Sequence, residues 1–246
     1  MELKKSEAII LRTRDFGESD LIVTLFSAHY GNLRGIAKGA RRSTRRFVNS
    51  LNIFSLTNVS FKDRRNSELI WLDSCELIDD FHGIRSDYNI LLKASSVVEI
   101  TETLFPVNMP SLEVFELLKS TLRLFSERLN IEETFVIFQL KAMKIGGFGI
   151  NLSKCSKCGR TYKGEGRALF NPAGGSIICL ACGKELPQFP GMSPDTVKAI
   201  SSVQLSDAHI INNLEFNDNI LGELKDILKL HIEHHLGKRL KSFKYI

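Results

Sequence analysis

The sequence lacks the features that mark membrane and exported proteins. No apolar run approaches the roughly 18 residues of a membrane span. The amino-terminal segment has only a short apolar stretch, from Ala8 to Leu11, where a secretory signal would carry a longer one. Internal repeats and low-complexity tracts are also absent. With 246 residues, 43% of them hydrophobic, the chain can bury a sizeable core, so we expect a globular cytoplasmic protein without a membrane partner.

Arrangements that would support catalysis are missing as well. No Ser/His/Asp or Cys/His set can be built from neighbouring residues. The stretch from Gly146 to Gly149 lacks the Lys and Ser/Thr that follow a phosphate-binding loop, so it indicates a helix stop. Asp79 and Asp80 are better explained as a linker and helix start than as an acid/base pair. The sequence therefore predicts a protein that is not an enzyme.

Acidic residues are missing from one long stretch of the chain. None occurs between Asp20 and Asp63, and residues 34–65 carry nine basic side chains although the net charge of the whole chain is only +5. A surface that serves only solubility normally mixes both signs, so the excess predicts contact with nucleic-acid phosphates, a solvated loop being the alternative. Because the arginines at 41–46 have no acidic neighbour in the sequence, we expect their guanidinium groups to lack intramolecular partners. The nine candidates are Arg34, Lys38, Arg41, Arg42, Arg45, Arg46, Lys62, Arg64 and Arg65.

Aromatic residues accompany these cations and are candidates for stacking on bases. Most of them alternate like core residues, so the sequence gives only weak support to any single one as a stacking platform. They are Phe26, Tyr30, Phe47, Phe54, Phe61 and Trp71.

Short β-type runs separated by turn residues fill the first 80 residues. The runs lie at 8–14, 20–27, 32–38, 53–61 and 68–78. Five short strands, with a long basic insertion after the third, suit a small barrel of the OB type, which commonly binds single strands. The fold by itself does not establish that use.

From about Ile84 the apolar period becomes helical. The pattern predicts one helix that ends before Pro106, a second capped by Ser111 and a third over residues 131–145 that is apolar nearly all round and so central to a bundle. Further helices are predicted from residue 193 and over residues 219–236. We therefore expect an α+β protein in which residues 1–80 form a five-stranded OB-type β-barrel and residues 81–246 an α-helical domain.

Four of the five cysteines form two Cys-x-x-Cys pairs inside a segment at 150–190. Cys155 and Cys158 make the first pair, Cys179 and Cys182 the second, and a glycine follows each pair. Without an export signal, this spacing favours metal ligation over disulfides. Four protein ligands leave no open position for water, so one structural zinc is predicted in an inserted zinc module, with an iron centre or redox pair as the alternative. Cys75 is expected in the core.

Histidines on the last predicted helix raise a second metal hypothesis. His231 and His235 are one helical turn apart. They also lie on the apolar stripe that contains Leu228 and Ile232, so packing at the edge of the core explains them without a ligand role.

Two segments near the amino terminus form a distinctive motif. Residues 14–20 read RDFGESD and residues 35–42 read GIAKGARR. Together with Gly147-Phe148, the two cysteine pairs and the stretch from His235 to Ser242, they make the chain resemble the RecO family of bacterial recombination mediators over nearly its whole length.

The resemblance implies a non-catalytic protein that contains an OB-type barrel, a helical domain and a zinc module. Members of this family bind single- and double-stranded DNA, anneal complementary strands and associate with RecR. They also engage the acidic C-terminal tail of the single-stranded DNA-binding protein through the helical domain, and so help RecA to load onto coated single strands. A protein of this kind is expected at the nucleoid, in the cytoplasm.

Two other functions stay open on the residues alone. An RNA-binding factor with an OB-fold and a zinc ribbon would share the basic stretch, and it would prefer RNA over single-stranded DNA at equal salt. A zinc-containing nucleic-acid enzyme, such as a ligase or nuclease, would need a lysine or carboxylate cluster that the sequence does not show. Turnover of labelled DNA with Mg²⁺ would reveal such an enzyme.

Overall fold

A computed structural model describes residues 2–65, 67–184, 189–207 and 215–244. By its internal contacts the chain divides into two compact units, Met1–Leu129 and Asn130–Ile246, and each is described by itself. The domain boundary near residue 80 stays a prediction. Residues 185–188 of the predicted zinc module lie outside the described residues.

The first unit begins with a closed five-stranded barrel. Its strands follow the order β1-β2-β3-β5-β4, and β4 pairs with β1 to close the barrel. Neighbouring strands are antiparallel except for β3 and β5, which run parallel. The fold class predicted from the sequence is thus confirmed. The strands are β1 (Lys4–Phe16), β2 (Asp20–Ser27), β3 (Gly31–Ala37), β4 (Leu56–Lys62) and β5 (Leu69–Asp79).

Alternating side chains fill the inside of this barrel. Val23 and Leu25 of β2 face the core, as the period-two pattern predicts. Gly35 of β3 pairs with Ile70 of β5, and a Cβ atom on Gly35 would lie 2.8 Å from the Ile70 side chain, so only glycine allows this close approach. Cys75 is buried in the same core, and burial raises the pKa of its thiol to about 12.

The basic segment between β3 and β4 is anchored to the barrel. Phe47 and Leu51 are buried in the barrel core, and the Cys75 N–H donates a 2.8 Å hydrogen bond to the Arg46 carbonyl. A short 3₁₀ turn, Ala40–Arg42, opens the segment. Its backbone is therefore held in place, while its arginine side chains are exposed.

Two helices complete the first unit, α1 (Tyr88–Leu104) and α2 (Leu112–Ser126). Asp87 caps α1 by accepting hydrogen bonds from two backbone N–H groups, and Ser111 caps α2 in the predicted manner. Ion pairs join both helices to β1: Arg12 contacts Glu102 of α1 at 2.6 Å, and Lys119 of α2 contacts Glu7 at 3.2 Å.

The second unit is a helical bundle that carries a small sheet. Helix α3 is buried nearly all round, as its sequence predicts, and packs against α5 and α6. The sheet has the order β7-β6-β8. The elements are α3 (Ile131–Ile145), β6 (Ala168–Asn171), β7 (Ser176–Cys179), α4 (Leu180–Gly183), β8 (Gly191–Met192), α5 (Pro194–Leu205) and α6 (Asp218–Leu236).

Charged side chains hold both ends of α5. At its amino terminus, Glu223 of α6 accepts hydrogen bonds from the Ser193 N–H at 2.7 Å and the Thr196 hydroxyl at 2.6 Å. Partial burial alone would raise the pKa of Glu223, but these bonds and the nearby positive charge of Arg167 lower it below its ordinary value. At the carboxyl terminus, the buried Lys141 of α3 donates to Ser206 Oγ at 2.9 Å. Both charges have the sign that the helix dipole favours.

His231 of α6 is fully buried in this unit. Its Nε2 lies 2.7 Å from the Phe148 carbonyl oxygen, and its ring packs edge-on against Phe170 of β6. Within the described parts of the chain, the one group of three or more metal-ligating side chains is the cysteine cluster, so His231 and His235 gain no third ligand. The contacts of His231 with Phe148 and Phe170 place its ring in the packed interior of this unit. No helix in the described ranges has the length and apolar character that a membrane span requires.

Candidate nucleic-acid interface and metal site

A row of directly paired residues crosses the outer face of the barrel. From β1 to β4, each member of the row is the register partner of the next. Directly paired residues project from the same face of a sheet. Val23, Ala37 and Leu72, which follow three members of the row along their strands, line the core, so the row faces outwards. Two cations therefore flank two isoleucines and a tryptophan. We call this set the outer row: Arg14, Ile22, Ile36, Trp71 and Lys62.

Trp71 lies under two of the predicted cations. Lys38 Nζ is 4.5 Å from the centre of the indole ring, and Arg64 Cζ is 5.0 Å from it. Both distances are within the range of cation–π attraction. Lys38 follows β3 and Arg64 lies in the turn between β4 and β5, so two loops distant in sequence converge on this one ring.

The other five aromatic candidates belong to packed regions. Four of them are at most 4% exposed: Phe26, Phe47, Phe54 and Phe61. Tyr30 is partly buried and packs edge-on against Phe61, with ring centres 5.1 Å apart. Trp71 alone among the six combines partial exposure with a position over the outer face.

The expectation that the arginines at 41–46 lack intramolecular partners is wrong for two of them. The Arg46 guanidinium donates to the carbonyl oxygens of Lys38 at 2.8 Å and Asp73 at 3.3 Å. Arg41 lies 3.4 Å from the Asp15 carboxylate. Backbone carbonyls are acceptors that a count of charged residues cannot reveal. The carboxylate near Arg41 belongs to the end of β1, which lies outside the acid-free stretch.

Other predicted cations keep their side chains available. Arg42 and Arg45 are exposed, and no described residue forms an ion pair or side-chain hydrogen bond with either of them. Arg34 is exposed on β3, opposite Thr24, and Arg65 is exposed in the turn after β4. Lys62 lies 3.9 Å from Asp73, a long ion pair that is open to solvent.

Arg14 is a member of the outer row that sequence reasoning missed. It lies outside the basic stretch, beside Asp15 and Glu18, so local charge counting gives no signal. The strand register does identify Arg14, because Arg14 pairs with Ile22, which lies on the same face of the barrel as Trp71. A predicted barrel register would have been needed to find it.

The four cysteines of the two pairs lie together in the second unit. Their sulfur atoms are all within 4.8 Å of one another. Cys155 and Cys158 come from a turn before β6, whereas Cys179 ends β7 and Cys182 lies in α4. Gly159, after the first pair, has a φ of +72°, a conformation that favours glycine. The spacing in the sequence thus correctly predicts a cluster that can hold a metal ion.

The electrostatics of this cluster fit a bound cation. Desolvation opposes ionisation of Cys155, yet backbone N–H groups from Cys179 and Cys158 lower its pKa to about 6. Hydrogen bonds to Cys179 and Cys158 raise the pKa of Cys182 to about 12. Without a positive ion these sulfurs cannot all be thiolates at neutral pH, and a coordinated cation removes this conflict.

Comparison with known proteins covers both units. Residues 1–81 match the family model described as Recombination protein O N terminal, and residues 85–244 match Recombination protein O C terminal. The DNA repair protein RecO of Syntrophus aciditrophicus (strain SB) is 33% identical over 245 residues, which are 98% of this chain and 94% of the relative. The DNA repair protein RecO of Syntrophobacter fumaroxidans (strain DSM 10017 / MPOB) is 32% identical over 246 residues, 100% of this chain and 98% of the relative.

Proposed function

The chain belongs to the RecO family of DNA repair and recombination proteins, and on that premise we propose that it is a non-enzymatic recombination mediator that binds single- and double-stranded DNA. The DNA-binding surface would be the outer face of the barrel, in the domain formed by residues 1–80. Its site residues would be the nine predicted cations together with Arg14.

The single observation that carries this proposal is the convergence of cations on the outer row. Arg14 and Lys62 lie at its ends, and Lys38 and Arg64 lie over its tryptophan. Lysine and arginine bind phosphates and release counterions from nucleic acid, which gives an affinity that falls with salt. OB-type barrels offer this kind of face to single strands.

We further propose the finer roles that characterise the family. The protein would anneal complementary strands, associate with RecR, and bind the C-terminal tail of the single-stranded DNA-binding protein through the helical domain at 81–246. With RecR it would help RecA to load onto coated single strands. Because these partners act on chromosomal DNA, the proposed location is the cytoplasm, at the nucleoid. Family membership supports these roles.

The metal in the proposed function is one structural zinc. Cys155, Cys158, Cys179 and Cys182 would hold it, and soft thiolate donors in a four-sulfur set suit this ion. Zinc bound there would supply folding energy to the segment at 150–190. The residues themselves position the hairpin of β6 and β7, since Cys179 ends β7 and its N–H donates to Cys155 Sγ at 3.4 Å.

Displacement of the single-stranded DNA-binding protein by RecA tests the proposed function. RecA assembly on coated single strands should be faster when this protein and RecR are both present than when either is omitted. Absence of any acceleration, with no binding to DNA at low salt, would contradict the proposal. Tighter binding to RNA than to single-stranded DNA at equal salt would instead favour an RNA-binding factor.

A further inference from the structure

Trp71 is the single tryptophan of the chain and is held on a rigid part of the barrel. Its strand, β5, is paired on both sides, with Ile36 beside Trp71 on β3 and Lys62 beside it on β4. Ile36 is only 4% exposed and forms an apolar floor next to the indole ring. The backbone that carries the ring is therefore held by strand pairing on both sides and is not part of a loop.

The two cations over the ring contact it only through their side chains, whereas Ile36 and Lys62 are held beside Trp71 by strand pairing. Lys38 and Arg64 are both exposed, and each stands on a loop adjoining the outer row. In the described structure neither side chain has an ion pair or hydrogen bond of its own, so the indole ring is the partner that both share. These two cations therefore lie where an aromatic surface is also available.

We infer that Trp71 is a stacking platform for an unpaired base of single-stranded nucleic acid, and that Lys38 and Arg64 leave the ring to contact phosphates when the strand binds. The inference rests on the proposed DNA-binding function and adds to it the group that recognises the bases.

The relative strengths of the contacts favour this exchange. A cation–π contact at an exposed site is weaker than the stacking of a base on an aromatic side chain. Each displaced cation then meets a phosphate, and counterions leave the nucleic acid. The exchange does not require a buried charge to lose its partner, because both cations are exposed in the unbound protein.

Two other exposed aromatic side chains are less suited to this role. Phe16 is 48% exposed at the end of β1, but its direct partner across the sheet is Asp20, whose carboxylate would repel phosphates. Tyr88 is 68% exposed at the start of α1 and belongs to no strand of the barrel. Among the described residues, cations lie within contact distance of Trp71 and not of Phe16 or Tyr88, which makes Tyr88 a suitable control.

A stacking platform discriminates between single strands and duplexes. In a duplex the base faces are covered by their neighbours, so the ring cannot reach them, whereas the surrounding cations can still bind the backbone. Trp71 should therefore contribute to the affinity for single strands and not to the affinity for duplex DNA.

Intrinsic fluorescence of the full chain tests the inference directly, because all tryptophan emission comes from Trp71. The wild-type protein is titrated with an oligothymidylate and with a duplex of equal length at one salt concentration. We expect strong quenching by the oligothymidylate and little quenching by the duplex. This measurement needs no variant and so does not depend on whether a substituted chain folds.

The contribution of Trp71 to binding affinity is then measured with variants, by fluorescence anisotropy of labelled DNA. Trp71→Ala should weaken binding to the oligothymidylate about tenfold and leave duplex binding within about twofold. Trp71→Phe should restore part of the loss, and Tyr88→Ala should change neither affinity.

Two results would overturn the inference and leave DNA binding in place. They are an unchanged emission at saturation with oligothymidylate, and an equal loss of both affinities in Trp71→Ala. If the wild-type chain bound neither DNA at low salt, the proposed function itself would fail.

Discussion

The guanidinium group of Arg46 donates a 2.8 Å hydrogen bond to the carbonyl oxygen of Lys38, which ties the basic segment to the end of β3. A second bond, to the Asp73 carbonyl at 3.3 Å, reaches β5. Arg46 thus connects three parts of the barrel through its side chain. Its neighbours Arg42 and Arg45 carry the same charge without such contacts among the described residues, so adjacent arginines should behave differently when replaced.

The double substitution Arg42→Ala/Arg45→Ala should weaken DNA binding through phosphate contacts alone. Each phosphate contact with an arginine releases about 0.7 counterion from single-stranded DNA. Loss of two such contacts should therefore flatten the slope of log K against log salt by about 1.4. The loss should be similar for different base sequences. Binding isotherms at several salt concentrations measure the slope. Lys229→Ala, an exposed lysine on α6, is the control, and an unaltered slope in the double variant would assign both arginines to a solvated surface.

Arg46→Ala should instead lower the stability of the protein. Removal of two hydrogen bonds to carbonyl oxygens is expected to cost on the order of 1 kcal/mol of unfolding free energy. Urea unfolding followed by circular dichroism measures the change, and the Arg42→Ala/Arg45→Ala protein should unfold like the wild type. Equal stability of Arg46→Ala and wild type would mean that these hydrogen bonds contribute nothing in solution.

Freshly purified reduced protein should contain one zinc per chain. Cys158→Ser removes one of four ligands and should lower both the metal content and the thermal stability, because metal binding supplies folding energy to the segment around it. Cys75→Ala is a matched control, since Cys75 lies in the barrel core and should leave the metal content unchanged. Elemental analysis measures the metal, and its absence from the wild-type protein would refute the zinc assignment.

His231 should make the protein less stable in mild acid. Its burial lowers its pKa to about 4 from an ordinary value of 6.5, so the folded protein keeps the imidazole neutral while the unfolded chain takes up a proton. The contribution is constant above pH 6.5 and is lost as the pH falls towards 4, by about 3 kcal/mol in total.

His231→Gln tests this pH dependence, because glutamine can still donate a hydrogen bond to the Phe148 carbonyl but does not titrate. The unfolding free energy of wild type minus that of the variant should fall as the pH drops from 7 to 4. Both proteins keep the same four cysteines, so acid release of the metal affects them equally. His29→Gln makes the same substitution at an exposed site and is the control for the change of residue type. Parallel curves for wild type and His231→Gln would contradict the prediction.

The bounds of helices and strands with a regular apolar pattern could be predicted accurately from the sequence. The predicted bounds of β2 and α3 agree with the structure because each keeps one pattern from end to end. β1 is longer than the predicted run at 8–14, since Lys4 and Lys5 pair with β4 residues more than 50 positions away. Pairing over such a distance leaves no trace in the local sequence.

Of the two candidate sites, one could be predicted from spacing along the chain and the other depends on pairing between distant strands. The cysteine cluster could be predicted because spacing along the chain dictates which sulfurs share a turn. The outer row could not, because Arg14 and Lys62 become its two ends only through the strand register. The Arg46 hydrogen bonds were missed for a related reason, since carbonyl acceptors belong to every residue and carry no sequence signal.

The charged groups at the two ends of α5 have a consequence for how the chain finds its fold. Apolar packing between helices has no sense of direction, so a buried stripe would pack about as well with the helix reversed. With α5 reversed, Glu223 would meet carbonyl oxygens and the buried Lys141 would meet N–H groups, and both contacts would be repulsive. Glu223 and Lys141 therefore specify the direction in which α5 runs between α3 and α6. The apolar residues of α5 alone could not specify that direction.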